Sequence, residues 1–364
     1  MSDGRTLGQL LARRGISRRA FLKYSSYLAS LMALPPAASK AMAEGLAMAP
    51  RQSVIWLSFQ ECTGCTESIT RAHSPTLEDL IFDFISLDYH HTLQAASGEA
   101  AEAARHEAME ANKGKYIVVV DGSVPVGAGA IYSTIAGITN QQMLEETVKD
   151  AFAVVAVGSC AAFGGIPHAK PNPTNAMPIG RLVKDKPVIN ISGCPPIPEA
   201  MAGTLAHVLA FGNVPELDSH GRPLAFFGDS IHDRCYRRPF YDKGQFAESF
   251  DDDGARKGWC LYKLGCKGPV TYNACATLKW NGGVSFPIQS GHGCLGCSEP
   301  HFWDMGGFYK PVSAPSDEVG PVAAMAVAGG AAAGVAAGLV HRAARSKARA
   351  DHTTVTVDDL EKSS

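Results

Sequence analysis

Eleven side chains with metal-ligating chemistry fall into three groups along the chain. Cys62 and Cys65 form a Cys-x-x-Cys knuckle, with Cys160 and Cys194 standing alone further on. His232 and Cys235 form a His-x-x-Cys pair, followed by Cys260 and Cys266. Cys275, Cys294 and Cys297 make the third group, and none of the 10 cysteines is left over. These ligand counts are those of iron–sulfur clusters. Three clusters in one chain would form an electron wire, and a wire needs a redox partner at each end.

Each group also has other readings. The first could be a disulfide pair or a structural zinc site, although four-thiolate zinc sites usually draw on two knuckles and only one exists here. The second could be a zinc site with three thiolates and an imidazole. As a cluster site it carries one less negative charge, because the neutral imidazole replaces a thiolate. The third has only three thiolates, which suits a [3Fe–4S] cluster; Pro287, seven residues before Cys294, offers no donor atom. Its alternatives are a zinc site completed by His292, or one disulfide and a free thiol. Arg234, Arg237 and Arg238 surround the second group, either to steer an acidic or haem-bearing acceptor or as a solvated basic face. Glu61 stands beside the first ligand and is a candidate proton relay, or an ordinary loop carboxylate. His90-His91 reads as a surface pair and His168 as a loop residue.

The elements that must position these groups are legible between residues 53 and 212. Short apolar runs at Ser53–Phe59, Ile81–Leu87, Tyr116–Val120, Ala153–Val157 and Pro187–Ile191 alternate with helix-like stretches at Ala95–Asn112, Gln141–Asp150 and Ile197–Phe211. This alternation predicts a parallel α/β sheet of the flavodoxin-like, doubly wound kind. Cys62 and Cys65 would follow the first strand, Gly122-Ser123-Val124-Pro125 the third, Cys160 the fourth and Cys194 the fifth. All three cysteine sites then lie at carboxyl ends of parallel strands, where open α/β sheets bind ligands. From about residue 216 the periodicity disappears, and turns, prolines and glycines dominate. Metal ligands would supply the cross-links that this loop-rich region lacks.

The 364 residues are 46% hydrophobic, which allows roughly two domains. A net charge of −2 gives no basic field for nucleic acid, and no P-loop, dinucleotide fingerprint or Ser-His-Asp grouping occurs. At the N-terminus, Ser17-Arg18-Arg19-Ala20-Phe21-Leu22-Lys23 is a twin-arginine motif. A weakly apolar stretch (24–34), Pro35-Pro36 and a small-residue site at Ala41-Met42-Ala43 follow it. Residues 1–49 are therefore expected to be an export signal outside the fold, cleaved between Ala43 and Ala49; the alternative is a basic helix with an apolar face. At the other end, Val319–Val340 is uncharged and reaches ~33 Å as a helix, enough to cross a bilayer. The basic residues after it place the tail, 341–364, in the cytoplasm. Gly330, Gly334 and Gly338 fall on one helix face that another membrane helix could approach closely. A soluble tail helix is the alternative. The expected order is signal (1–49), α/β domain (50–215), iron–sulfur domain (216–315), anchor (319–340) and tail.

With its motifs Glu61-Cys62-Thr63-Gly64-Cys65-Thr66-Glu67-Ser68, Gly122-Ser123-Val124-Pro125, Gly158-Ser159-Cys160-Ala161, Gly193-Cys194-Pro195-Pro196, His232-x-x-Cys235 and Gly293-Cys294-x-x-Cys297-Ser298-Glu299, the chain resembles the small subunits of membrane-bound [NiFe] hydrogenases. The resemblance implies a proximal [4Fe–4S] cluster on the first group, a distal [4Fe–4S] cluster on the second and a medial [3Fe–4S] cluster on the third. It implies electrons running from a nickel–iron centre in a large subunit, through the chain, to a membrane b-type cytochrome and quinone. It also implies export by the twin-arginine machinery and a body outside the inner membrane. Oxygen-tolerant members add two cysteines where Gly64 and Gly165 stand here, so a standard, oxygen-sensitive proximal site is implied. Asp121 stands where the family pattern leads one to expect glutamate, which keeps the charge. Sensory members lack the export signal and the anchor. The competing functions are a membrane-anchored, ferredoxin-like carrier for another oxidoreductase and a zinc- or disulfide-stapled exported binding protein.

Overall fold

A computed structural model describes residues 6–9, 18–32, 34–49, 51–73, 76–304, 306 and 308–312. The expected anchor at Val319–Val340 and the tail lie outside the described residues. Among the described residues no helix is long and apolar enough to cross a membrane.

Five parallel strands make the central sheet: β1 (Gln52–Ser58), β2 (Ile85–His90), β3 (Ile117–Asp121), β4 (Ala153–Val157) and β5 (Val188–Ile191). Their order is β2-β1-β3-β4-β5. The chain winds outward in both directions from β1 and β3, so the crevice at the switch point opens between the loops that follow those two strands. The strands are apolar on both faces because both faces are covered. Val54, Trp56, Val119, Val155 and Ile191 point to one core, and Ile55, Leu57, Val118, Val154 and Ala156 to the other. The second core is closed by α4 (Glu99–Ala111) and α5 (Asn140–Val148). The first is closed by α7 (Pro198–Phe211), by the short α3 (Gly64–Ile69), and by a helical pair, α1 (Arg18–Leu31) and α2 (Pro36–Met48).

That pair differs from the expected signal outside the fold. The reason lies in α7, whose sequence PEAMAGTLAHVLAF is apolar around its circumference. A helix apolar all round offers a second apolar face to whatever packs on it. The sheet covers one side, and Leu28, Met32, Met42 and Leu46 join the same cluster.

Three other expectations shift. The run at Ile81–Leu87 is not one strand: a π-helical turn occupies Leu80–Phe84, and the strand begins at Ile85. A capping box explains the helical start, since the Thr76 hydroxyl accepts from Asp79 N–H and the Asp79 carboxylate from Thr76 N–H, each at 3.2 Å. His90-His91 is not a surface pair. His90 is fully buried, stacked obliquely on Trp56 with ring centroids 5.1 Å apart, and His91 is half-buried. His90 Nδ1 accepts the N–H groups of Thr92 (3.0 Å) and Leu93 (3.2 Å), leaving Nε2 to face the Thr66 hydroxyl at 3.4 Å. His168, expected in a loop, ends the short helix Gly165–His168.

Beyond α7 the chain runs through short helical turns around a small third core of Ile231, Ala247, Leu261, Cys266, Phe286 and Ile288. Cys235, Cys275 and Cys294 pack at its margin.

Burial, reinforced by His91, pushes the His90 imidazole down to about 4. The unfolded chain, near 6.5, takes up this proton first as pH falls. Stability is therefore complete above about pH 6.5 and is lost toward pH 4, by up to ~3 kcal/mol. Urea midpoints measured from pH 7 to pH 4 should fall less steeply for His90→Gln than for the native chain, and parallel curves would refute the assignment.

Candidate metal centres

The first thiol group gathers at the carboxyl ends of β1, β4 and β5. Cys62 and Cys65 sit on the turn from β1 into α3, Cys160 in α6 (Gly158–Phe163) after β4, and Cys194 three residues past β5. Thr63 holds that turn in the left-handed region at φ 64°, which a β-branched residue rarely adopts. Gly158, at φ +83°, leaves the room Cys65 needs: a Cβ there would stand 2.4 Å from its Sγ. Burial pushes the Cys65 thiol well up, with Asp121 and then Cys160, Cys194 and Cys62 adding to the effect. The same cause holds Cys160 at about 11 and Cys194 at about 12. A Cβ on Gly64 would stand 3.1 Å from Cys62 Sγ and 4.0 Å from Pro195 Cβ, so the Cys62 and Cys194 loops adjoin. Cys62 and Cys194 are exposed, whereas Cys65 is buried.

Two carboxylates adjoin this group. Asp121 is buried, accepting from Trp56 Nε1–H at 3.1 Å and from the Thr66 hydroxyl at 3.4 Å. Glu61 is pushed up to about 7, first by burial and then by Asp121, against a Thr63 hydroxyl bond. Its Oε2 is buried with no hydrogen-bond partner.

The second group lines one small cleft, open to solvent, where His232, Cys235, Cys260 and Cys266 meet. Backbone N–H groups point at its sulfurs: Arg237 to Cys235 (3.4 Å), and Gly268 (3.4 Å) and Cys294 (3.3 Å) to Cys266. His232 is kept neutral, as a ligand must be, by burial and by Arg238. The expected basic steering face is not present in free form. Arg234 pairs with Asp229 at 2.8 Å and Arg238 with Asp233 at 2.7 Å. Arg237 is buried, donating to the Trp259 carbonyl (2.7 Å) and the Tyr236 hydroxyl (2.8 Å). Two of the three charges are neutralised, and the third is structural.

Cys275, Cys294 and Cys297 form the third group; burial raises all three thiols, and Cys297 and Cys294 raise Cys275 further. His292 stacks on Phe250 (centroids 6.0 Å) and its Nδ1 meets the Gly293 carbonyl at 2.8 Å, so this ring is engaged elsewhere. The three groups are consecutive in space. Ser159 Oγ, next to Cys160, donates to the Cys297 carbonyl, joining the third group to the first. The Cys294 N–H on Cys266 Sγ joins it to the second. All ten cysteines are free thiols, so no disulfide competes.

The residues that hold these groups in register escaped sequence reasoning. Ser159 Oγ donates to the Cys297 carbonyl, and Ser192 Oγ to the Ser298 carbonyl at 2.8 Å. Both serines stand within two residues of a cysteine at a strand end, the one signal that could have found them. Arg222, 2% exposed, had no signal. Its Nε donates to Asp218 (2.7 Å) and its Nη1 to Glu299 (2.9 Å) and the Ser298 carbonyl (3.1 Å).

Comparison with known proteins meets this geometry directly. Residues 227–309 match the family model for the C-terminal part of NiFe/NiFeSe hydrogenase small subunits, and residues 62–208 match that of the NADH ubiquinone oxidoreductase 20 Kd subunit. The chain is 48% identical to the uptake hydrogenase small subunit of Azotobacter vinelandii, over 93% of this chain and 95% of that one. It belongs to the [NiFe] uptake hydrogenase small-subunit family. Identity to the Hydrogenase-1 small chain of Escherichia coli is 46%, over 86% of this chain and 84% of that one. Among solved structures, the [NiFeSe] hydrogenase of Desulfovibrio vulgaris Hildenborough matches with TM-score 0.68 and 39% identity, over 71% of this chain and 98% of that one. As a hydrogenase small subunit, the chain is an electron-transfer component of an enzyme complex that includes a large subunit.

Truncating Arg222 would leave the buried Glu299 and the partly covered Asp218 without their cation. Arg222→Met should therefore cost about 3–5 kcal/mol, read as a lower unfolding midpoint. An unchanged midpoint would show that the network is not a support.

Proposed function

We propose that the chain relays electrons from hydrogen oxidation, and that the observation supporting this best is the placement of the third thiol group between the other two. Cys62, Cys65, Cys160 and Cys194 would hold a [4Fe–4S] cluster. Cys275, Cys294 and Cys297 would hold a [3Fe–4S] cluster, and His232, Cys235, Cys260 and Cys266 a second [4Fe–4S] cluster. The donor sets fit: the sulfurs converge without bonding to one another, and backbone N–H groups at Cys235 and Cys266 are aimed at them. Among the described residues no three His, Cys, Asp or Glu side chains close on a single ion, whereas a polynuclear cluster needs its ligands spread around it. When bound, the three clusters would supply one-electron carriers in series.

The chain's own residues would set the direction. The exposed Cys62 and Cys194 give the first group an open face, the side on which the large subunit and its nickel–iron centre would lie. At the other end the His232 imidazole removes a negative charge and N–H groups stabilise the sulfurs, both of which raise a potential. That makes the second group the exit, toward a membrane b-type cytochrome and quinone. The twin-arginine segment and the stretch at Val319–Val340 support an exported body anchored in the inner membrane. The sheet would be a flavodoxin-like platform (50–215) and the loop-rich part (216–315) the carrier of the second and third groups. Glu61, half-buried with an unpartnered oxygen, would pass protons at the large-subunit face; unchanged isotope exchange in Glu61→Gln would remove it from that role.

Electron paramagnetic resonance of the detergent-solubilised complex tests the wire. A three-iron signal present in air and lost under hydrogen, beside a nickel signal, is expected; zinc without iron would overturn the assignment. His232→Ala should lower hydrogen oxidation with a membrane acceptor by at least about tenfold. It should spare hydrogen–deuterium exchange at the large subunit, and equal loss of both would place His232 outside the exit.

Gly64 and Gly165 both abut the first group: a Cβ would stand 3.1 Å from Cys62 Sγ and 2.5 Å from Cys160 Sγ respectively. Neither supplies a thiolate, so the first site is a plain four-cysteine site and the enzyme oxygen-sensitive. Hydrogen-oxidation current on an electrode should collapse under air, and sustained current would contradict this.

A further inference from the structure

The export leader is folded onto the body, and its functional parts are divided between buried and exposed surfaces. In α1 and α2, Leu28, Ala29, Met42 and Leu46 are 0% exposed, and Met32, just past α1, is 3% exposed. The approach to α7 is backbone to backbone: a Cβ on Gly45 would stand 2.1 Å from the Ala210 carbonyl oxygen. A Cβ on Gly203 would stand 3.8 Å from Met32 Cγ, which sets the end of α1 beside α7. Leu7 N–H donates to the Ala49 carbonyl at 2.9 Å, tying the residues ahead of the pair to its end. The small-residue site Ala41-Met42-Ala43 lies inside α2, held in helical form with Met42 0% and Ala43 3% exposed and Ala41 on the outer face. Arg19, by contrast, is exposed at the first turn of α1.

We propose that the folded precursor stows its own leader: α1 and α2 dock on α7, masking the apolar stretch and the cleavage site while the twin-arginine end stays open at Arg19. A peptidase cuts only chain that has opened locally, so the docked leader resists processing until it is released. Undocking is then a required step between recognition of the arginines and cleavage. The inference rests on the twin-arginine reading of residues 17–23.

The test uses the full-length precursor as it accumulates in cells lacking the export translocase, with purified signal peptidase in detergent as the probe. Gly45→Leu cannot seat against Ala210, and Leu46→Asp places a charge at a fully buried position. Both should be cut at least tenfold faster than the native precursor, with iron–sulfur absorbance unchanged to show an intact body. Equal rates for all three would overturn the proposal. Hydrogen exchange on the native precursor decides the matter independently of the variants: α2 amides should be protected, and exchange at the rate of an unstructured peptide would also overturn it. Arg18→Lys with Arg19→Lys tests the export reading separately. It should block delivery to the membrane and leave the cleavage rate unchanged; normal delivery would refute that reading without bearing on the docking.

Discussion

A guanidinium leaves water only when its donors find acceptors, and the burial of Arg222 organises everything between the sheet and the loop-rich region. Its partners, Asp218 and Glu299, lie on opposite sides of it in sequence. Glu299 also accepts the Tyr272 N–H at 2.7 Å, so one carboxylate ties two loops to one cation. The guanidinium further lies over the rings of Phe227 and Tyr272, at 5.4 and 5.9 Å. The segment so fixed contains Cys297. Ser159 and Ser192 take hold of the same segment from the strand ends, beside Cys160 and Cys194. The spacing of the first and third thiol groups is thus set by neutral and ionic hydrogen bonds that involve no metal.

Those bonds succeed because the sheet is rigid where they attach. Parallel strands buried on both faces cannot slide without moving every side chain to the wrong core. The loops after β1, β4 and β5 inherit that rigidity. Gly193 N–H donates to Ser159 Oγ at 3.0 Å, and Ser159 N–H to the Gly193 carbonyl at 2.8 Å, so the β4 and β5 loops are clasped to each other. A site that must keep four sulfurs at fixed separation through redox change gains from such a frame.

The sheet was legible because its strands are short apolar runs with helical stretches between them; Ala153–Val157 was readable to the residue. Cysteine spacing likewise made the three groups legible, because metal ligands are rare residue types that cannot be placed at random in a core. What was not legible depended on partners distant in sequence. The turn at Leu80–Phe84 hides in an apolar run, and only the Thr76–Asp79 capping pair marks it. His90 looks polar and exposed until Trp56 and the Thr92 and Leu93 amides are seen around it. Arg222 lies in a stretch of turns with no periodicity, and its acceptors come from 4 and 77 residues away. The arginines near the second group were readable as a cluster, but their pairing with Asp229 and Asp233 was not.

The uneven cores carry a consequence for assembly. The sheet buries two extended apolar faces, whereas the loop-rich region owns a core of about half a dozen side chains, one of them Cys266. Such a core supplies little free energy against the entropy of ordering so many turns. The remainder must come from the sheet, through Arg222 and the two serines, and from ligation, because binding at a site absent from the unfolded chain is folding energy. The buried thiols sharpen this dependence. Without iron they stay protonated in an apolar setting, and metal binding converts them to thiolates whose charge is offset on the spot. The third group, hung on the sheet and flanked by the second, is therefore where the fold and the electron path become the same structural problem.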